Sequence, residues 1–467
     1  MNNQAIKDTL WILTEERPKA SVIKQIVDQY CTDFNDRIVS EENIKIRPVV
    51  KAGKFQFSYS VEGLTVESIE KIEIFTVSGS SSFFDFLVFK QKNKPIPSSS
   101  DEPIMAIEET KTSDAESRNT GVYQRASKFI FVDYYYKNVK PYMLYNDELE
   151  DDGEQPSNTS VFGTNLLLSL NVKIIGKDIS KWFKPFESID EIIEFKKGMR
   201  KPPKGNVPIQ IYIHDKILKI SGRLSKPADA GNIGHDPNIG ALSLISKSVR
   251  DLGWAGKIEI TDHGISQEYI DKTKGNNKFL YICKILNLSL EDRKLPDSIN
   301  LPNDYWRYEE NSEKIGSILL HLVAEYSGDL LGVYQNHAGC ERGYFKTKNN
   351  ELIALPKVDR EGIVLNIPDL ILFGKKMSEI IVVEGKQLST LQNGINEIEL
   401  YDSLENEFIK LHYNDCKVSR WVCIYGGDLE NLPHPKVIMY LNNSGRVFIN
   451  QNSSETIKKA FQNLGFI

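Results

Sequence analysis

Three residues in the C-terminal third of the chain have the types and spacing needed to hydrolyse a phosphodiester. Asp369 follows Ile367-Pro368, and the apolar run Ile380 to Val383 ends in Glu384-Gly385-Lys386. Because residues i and i+2 of a strand face the same side, Glu384 and Lys386 project together, and a hairpin would return Asp369 beside them. Carboxylate oxygens are the ligands that Mg²⁺ prefers, and a lysine orients the attacking water or stabilises charge on the phosphate. The pattern predicts metal-dependent phosphodiester hydrolysis at this strand end.

A similar order of residues occurs earlier in the chain. Asp85 precedes one apolar run, and the run Ile104 to Ile107 leads into Glu108-Glu109-Thr110-Lys111. A strand, a loop and a second strand would thus bring together Asp85, Glu109 and Lys111. Alternation along the strand places Glu108 on the face opposite Glu109, so Glu108 could coordinate a metal beside it only if the strand twists or bulges.

Pro368-Asp369 followed by Glu384-Gly385-Lys386 resembles the signature of the PD-(D/E)XK nuclease superfamily, which includes many type II restriction endonucleases. The resemblance implies that Asp369 and Glu384 bind Mg²⁺ and that Lys386 is the catalytic lysine. For the earlier pattern it implies metal binding by Asp85 and Glu109, with Lys111 as the lysine. That pattern departs from the family in having Phe84 before the aspartate and a longer hairpin loop.

Cationic and amide side chains elsewhere suit contacts with double-stranded DNA. One group lies at helical spacing after Lys111, where the family has a helix that contacts the phosphate backbone. A second group lies in the middle of the chain and has the chemistry for phosphate anchoring. An ordinary solvated surface explains the second group equally well. The candidates are Gln124, Arg125, Lys128, Arg223, Lys226, Lys247 and Arg250.

The elements that position these residues indicate an α/β fold. Alternating apolar runs with β-branched and aromatic residues predict strands from Ile44 to Phe89, whereas residues 5–35 are predicted as two helices split at Pro18. Helices are also predicted over 309–326 and 395–411. We expect two mixed-sheet units of the PD-(D/E)XK type and a middle DNA-recognition region. The predicted boundaries are 1–150, 160–295 and 300–467, because 146–160 is polar and acidic and 286–303 is polar with two prolines.

Composition excludes several classes of protein. The 58 basic and 64 acidic residues give a net charge of -6, which argues against binding nucleic acid by bulk charge. The apolar runs are far shorter than the roughly 20 residues of a membrane span, and a polar Asn-Asn-Gln follows Met1. Five cysteines without a C-x-x-C pair predict reduced thiols in a cytoplasmic protein.

The sequence contains no motif typical of a zinc site or a nucleotide-binding site. The seven histidines show no spacing typical of zinc ligands, and a turn role is expected for His263. No G-x-x-x-x-G-K-[ST] motif is present, so no nucleotide cofactor is expected. Glu325 is an additional candidate ligand, although a solvated glutamate on a helix is the simpler interpretation.

Two different centres in one chain predict one cut per strand at an asymmetric target, which resembles the two-site type IIS restriction enzymes. A companion DNA methyltransferase is then expected, and the enzyme would be a monomer or a dimer. In one alternative a single active centre works in a homodimer, as in a restriction or repair nuclease, and the other centre has decayed but still binds DNA. In another the protein is a non-catalytic DNA-binding protein whose carboxylates form salt bridges.

Overall fold

The computed structural model describes residues 7–79, 83–96, 101–111, 121–146, 157–176, 181–199, 209–224, 236–304, 308–309, 312–336 and 344–466. Helices and mixed sheets alternate along the chain, which confirms the predicted α/β class. Among the described residues, no helix combines the length and apolarity needed to cross a membrane.

The chain divides into two compact units, each built from separate segments. The unit that contains both termini, which we call the terminal unit, comprises Met1–Ser78, Lys90–Pro97 and Tyr308–Ile467. The central unit comprises Gly79–Phe89 and Ser98–Arg307. This division differs from the three consecutive regions predicted, because the N-terminal strands belong to the same unit as the C-terminal third.

Within the described ranges, strands outnumber helices. The strands are β1 Asp8–Thr14, β2 Ile38–Lys51, β3 Lys54–Val66, β4 Ile69–Thr76, β5 Ser78–Gly79, β6 Phe86–Gln91, β7 Met105–Lys111, β8 Lys140–Asn146, β9 Lys173–Ile175, β10 Ile211–His214, β11 Ile217–Ser221, β12 Ile258–Thr261, β13 Leu288–Leu290, β14 Tyr308–Glu309, β15 Leu330–Gln335, β16 Tyr344–Lys346, β17 Leu352–Ala354, β18 Leu370–Gly374, β19 Glu379–Gln387, β20 Lys417–Tyr425, β21 Val437–Leu441 and β22 Val447–Ile449. The helices are α1 Ala20–Asp33, α2 Gly121–Tyr135, α3 Asn158–Ser169, α4 Ile189–Gly198, α5 Pro237–Asp251, α6 Gln267–Lys272, α7 Lys278–Ile285, α8 Ile315–Ser327, α9 Leu391–Ile398, α10 Asp402–Leu404, α11 Lys410–His412 and α12 Glu455–Asn463.

The terminal unit contains a six-stranded sheet in the order β15-β18-β19-β20-β21-β22. The pairs β15–β18, β18–β19 and β21–β22 are antiparallel, and β19–β20 and β20–β21 are parallel. Parallel neighbours require a crossover, and the chain makes it between β19 and β20 through the helical segment 388–412. This segment alternates between α geometry, in α9, α10 and α11, and short 3₁₀ and π turns before and between them.

The N-terminal strands of the terminal unit follow the order β2-β3-β4-β1. The prediction of a helix before Pro18 is wrong, because residues 8–14 form β1 and pair in parallel with β4. Leu10, Ile12 and Leu13 are fully buried. A short apolar run has no clear period, so strand pairing with a distant segment decided its conformation.

The central unit contains two sets of four neighbouring strands, β6-β7-β8-β9 and β10-β11-β12-β13. Each set begins with an antiparallel pair and continues with two parallel pairs. Helix α2 makes the crossover from β7 to β8, and α5 makes that from β11 to β12. Helix α5 begins at Pro237 because the carboxylate of Asp236 accepts the N–H groups of Asn238 and Ile239.

Candidate active sites

The two predicted sites lie on hairpins of the same register. In β18–β19 Leu370 pairs with Val383, and in β6–β7 Phe86 pairs with Ile107. Each antiparallel register, continued by one residue, places Asp369 opposite Glu384 in the first hairpin and Asp85 opposite Glu108 in the second. The structure therefore places Glu108, and not the predicted Glu109, at the position that corresponds to Glu384.

Backbone hydrogen bonds support the same correspondence. The N–H of Gly385, the residue after Glu384, donates to Asp369 Oδ2 at 2.9 Å. The N–H of Glu109, the residue after Glu108, donates to Asp85 Oδ2 at 2.7 Å. Each aspartate is thus held by the backbone of the strand that carries its partner glutamate.

The downstream centre, defined by Asp369, Glu384 and Lys386, brings together all three residues predicted there. Lys386 Nζ lies 2.6 Å from Glu384 Oε1 and 2.7 Å from Glu397 Oε2 on α9. The Tyr401 hydroxyl donates to Glu384 Oε2. The Glu384 side chain is 6% exposed and that of Lys386 is 18% exposed. The ammonium is therefore fixed between two carboxylates at the end of the strand.

Burial and neighbouring negative charge shift the acid–base properties of this centre. Burial, Asp369 and the hydrogen bond with Glu397 raise the pKa of Glu384 to about 8. Burial also raises the pKa of Asp369, although the Gly385 N–H and Lys386 oppose this shift. Burial alone would lower the pKa of Lys386, but hydrogen bonds to Glu384 and Glu397 raise it, so the lysine stays protonated. The centre carries two buried carboxyls whose ionised forms are costly without a further cation.

An acidic residue just before helix α8 acts on the downstream centre. A side-chain carbon at Gly385 would lie 3.0 Å from Asp369 Oδ2 and 3.2 Å from Ser317 Oγ of α8. Glu313, just before α8, raises the pKa of Asp369 after the larger effect of burial. Glu325, the candidate ligand predicted on this helix, instead pairs with Arg17 Nη1 at 2.6 Å and His321 Nε2 at 3.1 Å. The acid that acts on the downstream centre is therefore Glu313, which precedes α8.

The upstream centre, defined by Asp85, Glu108, Arg125 and Lys128, has a different source of positive charge. Lys128 Nζ lies 2.9 Å from Glu108 Oε1 and 2.8 Å from Oε2, and it donates to the Phe83 carbonyl at 2.6 Å. Arg125 Nε lies 2.8 Å from Glu108 Oε1. The side chain of Lys111, the predicted lysine, is outside the described residues, as is that of Gln124. In the upstream centre a lysine of helix α2 thus contacts the glutamate. In the downstream centre the lysine that contacts the glutamate lies on the same strand.

The balance of acidic and cationic side chains differs between the two centres. Burial and Asp85 raise the pKa of Glu108 to about 7, against the opposing effects of Lys128 and Arg125. Burial and Lys128 lower the pKa of Lys278, on α7, to about 8. Among the described residues, two carboxyls of the upstream centre therefore lie near three cationic side chains. Downstream, by contrast, the described acidic groups outnumber the described cationic ones; they are Asp369, Glu384, Glu397 and Glu313 against Lys386 and Lys314.

The other residues predicted to contact DNA differ in their exposure and in their hydrogen-bond and ion-pair partners. Lys247 pairs with Asp251 at 2.6 Å and Asp133 at 3.0 Å, so its charge is compensated. Arg250 donates to four backbone carbonyls, those of Trp254, Gly256, Leu286 and Asn287, and so ties α5 to the following segments. Arg223 is exposed just after β11, and Lys226 lies outside the described residues. In the same region His263 Nδ1 accepts the Ile265 N–H, which confirms the predicted turn role.

Several contributors to the downstream centre were not predicted. Tyr401 and Glu397 lie 17 and 13 residues after Glu384 in sequence and contact it or its lysine through the crossover segment. Gly394 on α9 leaves room for the lysine, since a side-chain carbon there would lie 2.8 Å from Lys386 Cγ. The helical spacing of 394, 397 and 401 was the available signal, because these positions share one face.

A cleft of about 450 Å³ opens at the ends of β19 and β20. It is lined by Gln387, Leu388, Ser389, Tyr425, Gly426, Gly427 and Asn443. Ligands of open α/β sheets commonly bind at the carboxyl ends of parallel strands. The cleft provides room for a ligand at the end of the strand that carries Glu384 and Lys386.

Comparison with known proteins gave no match: no protein-family model, curated protein or solved structure is significantly similar to the chain.

The carboxylates of the downstream centre can supply part of the ligand shell of a metal ion. Among the described residues, no group of three or more His, Cys, Asp or Glu side chains is arranged to hold one. Mg²⁺ commonly takes only one or two protein carboxylates and completes its shell with water and phosphate oxygens. Asp369 and Glu384 provide such a pair of hard oxygen donors.

Proposed function

We propose that the protein is a Mg²⁺-dependent, sequence-specific endonuclease of double-stranded DNA, of the type II or type IIS restriction kind, with one centre for each strand. The observation that carries this proposal is the repeated arrangement. Two hairpins of one register each present an aspartate opposite a buried glutamate, and each is followed by a helical crossover to a parallel strand. Surface ion pairs have no reason to recur in this order.

In the downstream centre Asp369 and Glu384 would hold Mg²⁺, which when bound polarises the phosphate and lowers the pKa of a bound water. Lys386 stays protonated between Glu384 and Glu397, so its ammonium can stabilise the charge that develops on the phosphate. Tyr401 fixes the rotamer of Glu384 through its hydroxyl. Gly385 fixes Asp369 through its N–H.

In the upstream centre the same roles would fall to Asp85, Glu108 and Lys128. Lys128 replaces the predicted Lys111 in this proposal because its ammonium reaches both Glu108 oxygens. Arg125 is the best-placed phosphate contact, since it is one-third exposed beside the centre. Arg223 remains a candidate for backbone contact by the middle region.

Digestion of plasmid and phage DNA tests the proposal. Purified protein is incubated with Mg²⁺ or with EDTA, and the ends of any fragments are sequenced. We expect discrete fragments with Mg²⁺ only, and none from a chain carrying both Asp369→Asn and Asp85→Asn. Uncut DNA across varied sequences, with Mg²⁺-independent binding, would favour the non-catalytic DNA-binding protein.

A second candidate function has one specific observation in its favour. Glu108 is already paired with two cations, as expected if the upstream centre only binds DNA and a homodimer cuts with its downstream centres. Strand-resolved mapping of nicks separates the two cases. Cutting of both strands by a chain with Asp85→Asn supports the homodimer.

A further inference from the structure

The Arg125–Glu108 ion pair occupies the side of the upstream centre where a metal ion would bind. We propose that Arg125 is a positioning residue that closes this centre until the phosphate backbone of bound DNA draws its guanidinium away. The inference rests on the proposed function and adds a regulatory step to it. Before DNA binds, only the downstream centre would accept a divalent ion.

The carboxylate of Glu108 has both oxygens engaged. Oε1 accepts from Arg125 Nε at 2.8 Å and from Lys128 Nζ at 2.9 Å, and Oε2 accepts from Lys128 at 2.8 Å. The Glu108 side chain is 0% exposed. Asp85 Oδ2 is held by the Glu109 N–H at 2.7 Å. A divalent ion must therefore displace a donor, and in the part of the site that the structure describes it meets more cations than carboxyls.

Arg125 is the donor that can leave. Lys128 is 10% exposed and is also held by the Phe83 carbonyl at 2.6 Å, so its removal would break a buried network. Arg125 is 33% exposed and engages Glu108 through Nε. A guanidinium binds phosphate oxygens in a bidentate manner, so a DNA phosphate is a suitable competitor for it.

The downstream centre has no equivalent gate among its described contacts. Glu384 is held by Lys386 and Tyr401, and the arginine of the adjacent strand, Arg420, pairs with Asp402 and Glu405. Its surplus of acidic groups favours a divalent ion without DNA. The two centres are thus expected to load in a fixed order.

Counting bound Mn²⁺ in the absence of DNA tests the gate. The electron paramagnetic resonance signal of free Mn²⁺ is measured as protein is added. We expect one tightly bound ion per wild-type chain and two per Arg125→Ala chain. Adding Glu108→Gln to Arg125→Ala should restore one, and Arg125→Lys should stay closer to one than Arg125→Ala. Far-ultraviolet circular dichroism checks that each variant is folded.

DNA affinity gives a second readout. Anisotropy of a labelled target duplex, measured without divalent ions over a range of salt, should show weaker binding by Arg125→Ala. The slope of log affinity against log salt should decrease by about one, as expected for the loss of one phosphate contact.

The possible failures are distinct. Two ions on the wild-type chain without DNA, one ion on Arg125→Ala, or an unchanged salt slope would each overturn the gate and leave the nuclease proposal standing. A wild-type chain that binds no Mn²⁺ would overturn both.

Discussion

The two centres share a backbone arrangement but not a charge balance. Each has an aspartate held by the N–H that follows the opposite glutamate. The upstream glutamate is covered by a lysine and an arginine of α2, whereas the downstream glutamate shares its lysine with a second carboxylate. The backbone of each hairpin therefore determines where the two acids lie. The side chains of the helix that follows the hairpin determine whether the negative charge of these acids is already compensated or still needs a cation.

The largest effect is expected from Lys386→Ala. Loss of an ammonium that stabilises phosphate charge should slow cleavage of one strand by about 10²–10³-fold and leave the other strand unchanged. Strand-resolved gels with end-labelled duplex measure both rates. Lys375→Ala, at the exposed turn of the same hairpin, is the matched control and should cut normally. Equal slowing on both strands would contradict the assignment of one centre to each strand.

Substitutions of two neighbouring glutamates test the register of the upstream hairpin. Glu108→Gln should slow cleavage of the other strand by about 10²-fold or more, because it removes the acid opposite Asp85. Glu109→Gln should have a much smaller effect, since its backbone N–H remains to hold Asp85. The same strand-resolved assay applies, and continued cutting by the downstream centre shows that the chain is folded. A larger loss in Glu109→Gln would restore the assignment made from sequence.

A smaller effect is expected from Gly394→Ala. A methyl group there would lie 2.8 Å from Lys386 Cγ, so the lysine must shift relative to Glu384. We expect cleavage of the downstream-centre strand to slow by about tenfold, because small misplacements are costly in catalysis. Ala substitution at Asn393, the exposed neighbour on α9, is the control. Unchanged kcat in Gly394→Ala would show that the lysine position is not critical.

The smallest expected effect is on stability as a function of pH. The pKa of Glu384 is raised to about 8, from 4.5, by burial and by Asp369. The folded state thus holds this proton more tightly than the unfolded state, so the free energy of unfolding should fall as pH rises through this interval. Glu384→Gln should reduce that fall, by at most about 1.4 kcal/mol per pH unit.

Urea denaturation near pH 5 and near pH 8, without divalent ions, measures this effect. The exposed Glu361→Gln is the control and should retain the wild-type dependence. The same dependence in Glu384→Gln and in wild type would contradict the raised pKa.

Much of the downstream centre was predictable from sequence because its signals are local. The run Ile380 to Val383, the i, i+2 spacing of Glu384 and Lys386, and the preceding Asp369 lie within one hairpin. For the upstream acid, Glu108-Glu109 offers two registers, and only the pairing of Phe86 with Ile107 separates them. The acid-x-Lys pattern favoured Glu109, whereas the pairing places Glu108 opposite Asp85.

The residues that the sequence did not reveal act across longer separations. Lys128 was predicted as a contact for the phosphate backbone, and its contact with Glu108 from the next helix was not predicted. Strand β1 was predicted as helix because its parallel partner, β4, is more than 50 residues away. Both depend on tertiary packing, which single-sequence periodicity does not encode.

The division of the terminal unit into separate segments has a consequence for synthesis. Its N-terminal strands leave the ribosome first, but the Phe55 N–H donates to the Gly445 carbonyl, close to the other end of the chain. Segment 98–307 must be translated in between, which takes on the order of ten to forty seconds at about 5–20 residues per second. The central unit, with its arginine-covered glutamate, therefore has all its residues before the downstream centre does. A newly made chain acquires its acidic centre only after the central unit has been translated.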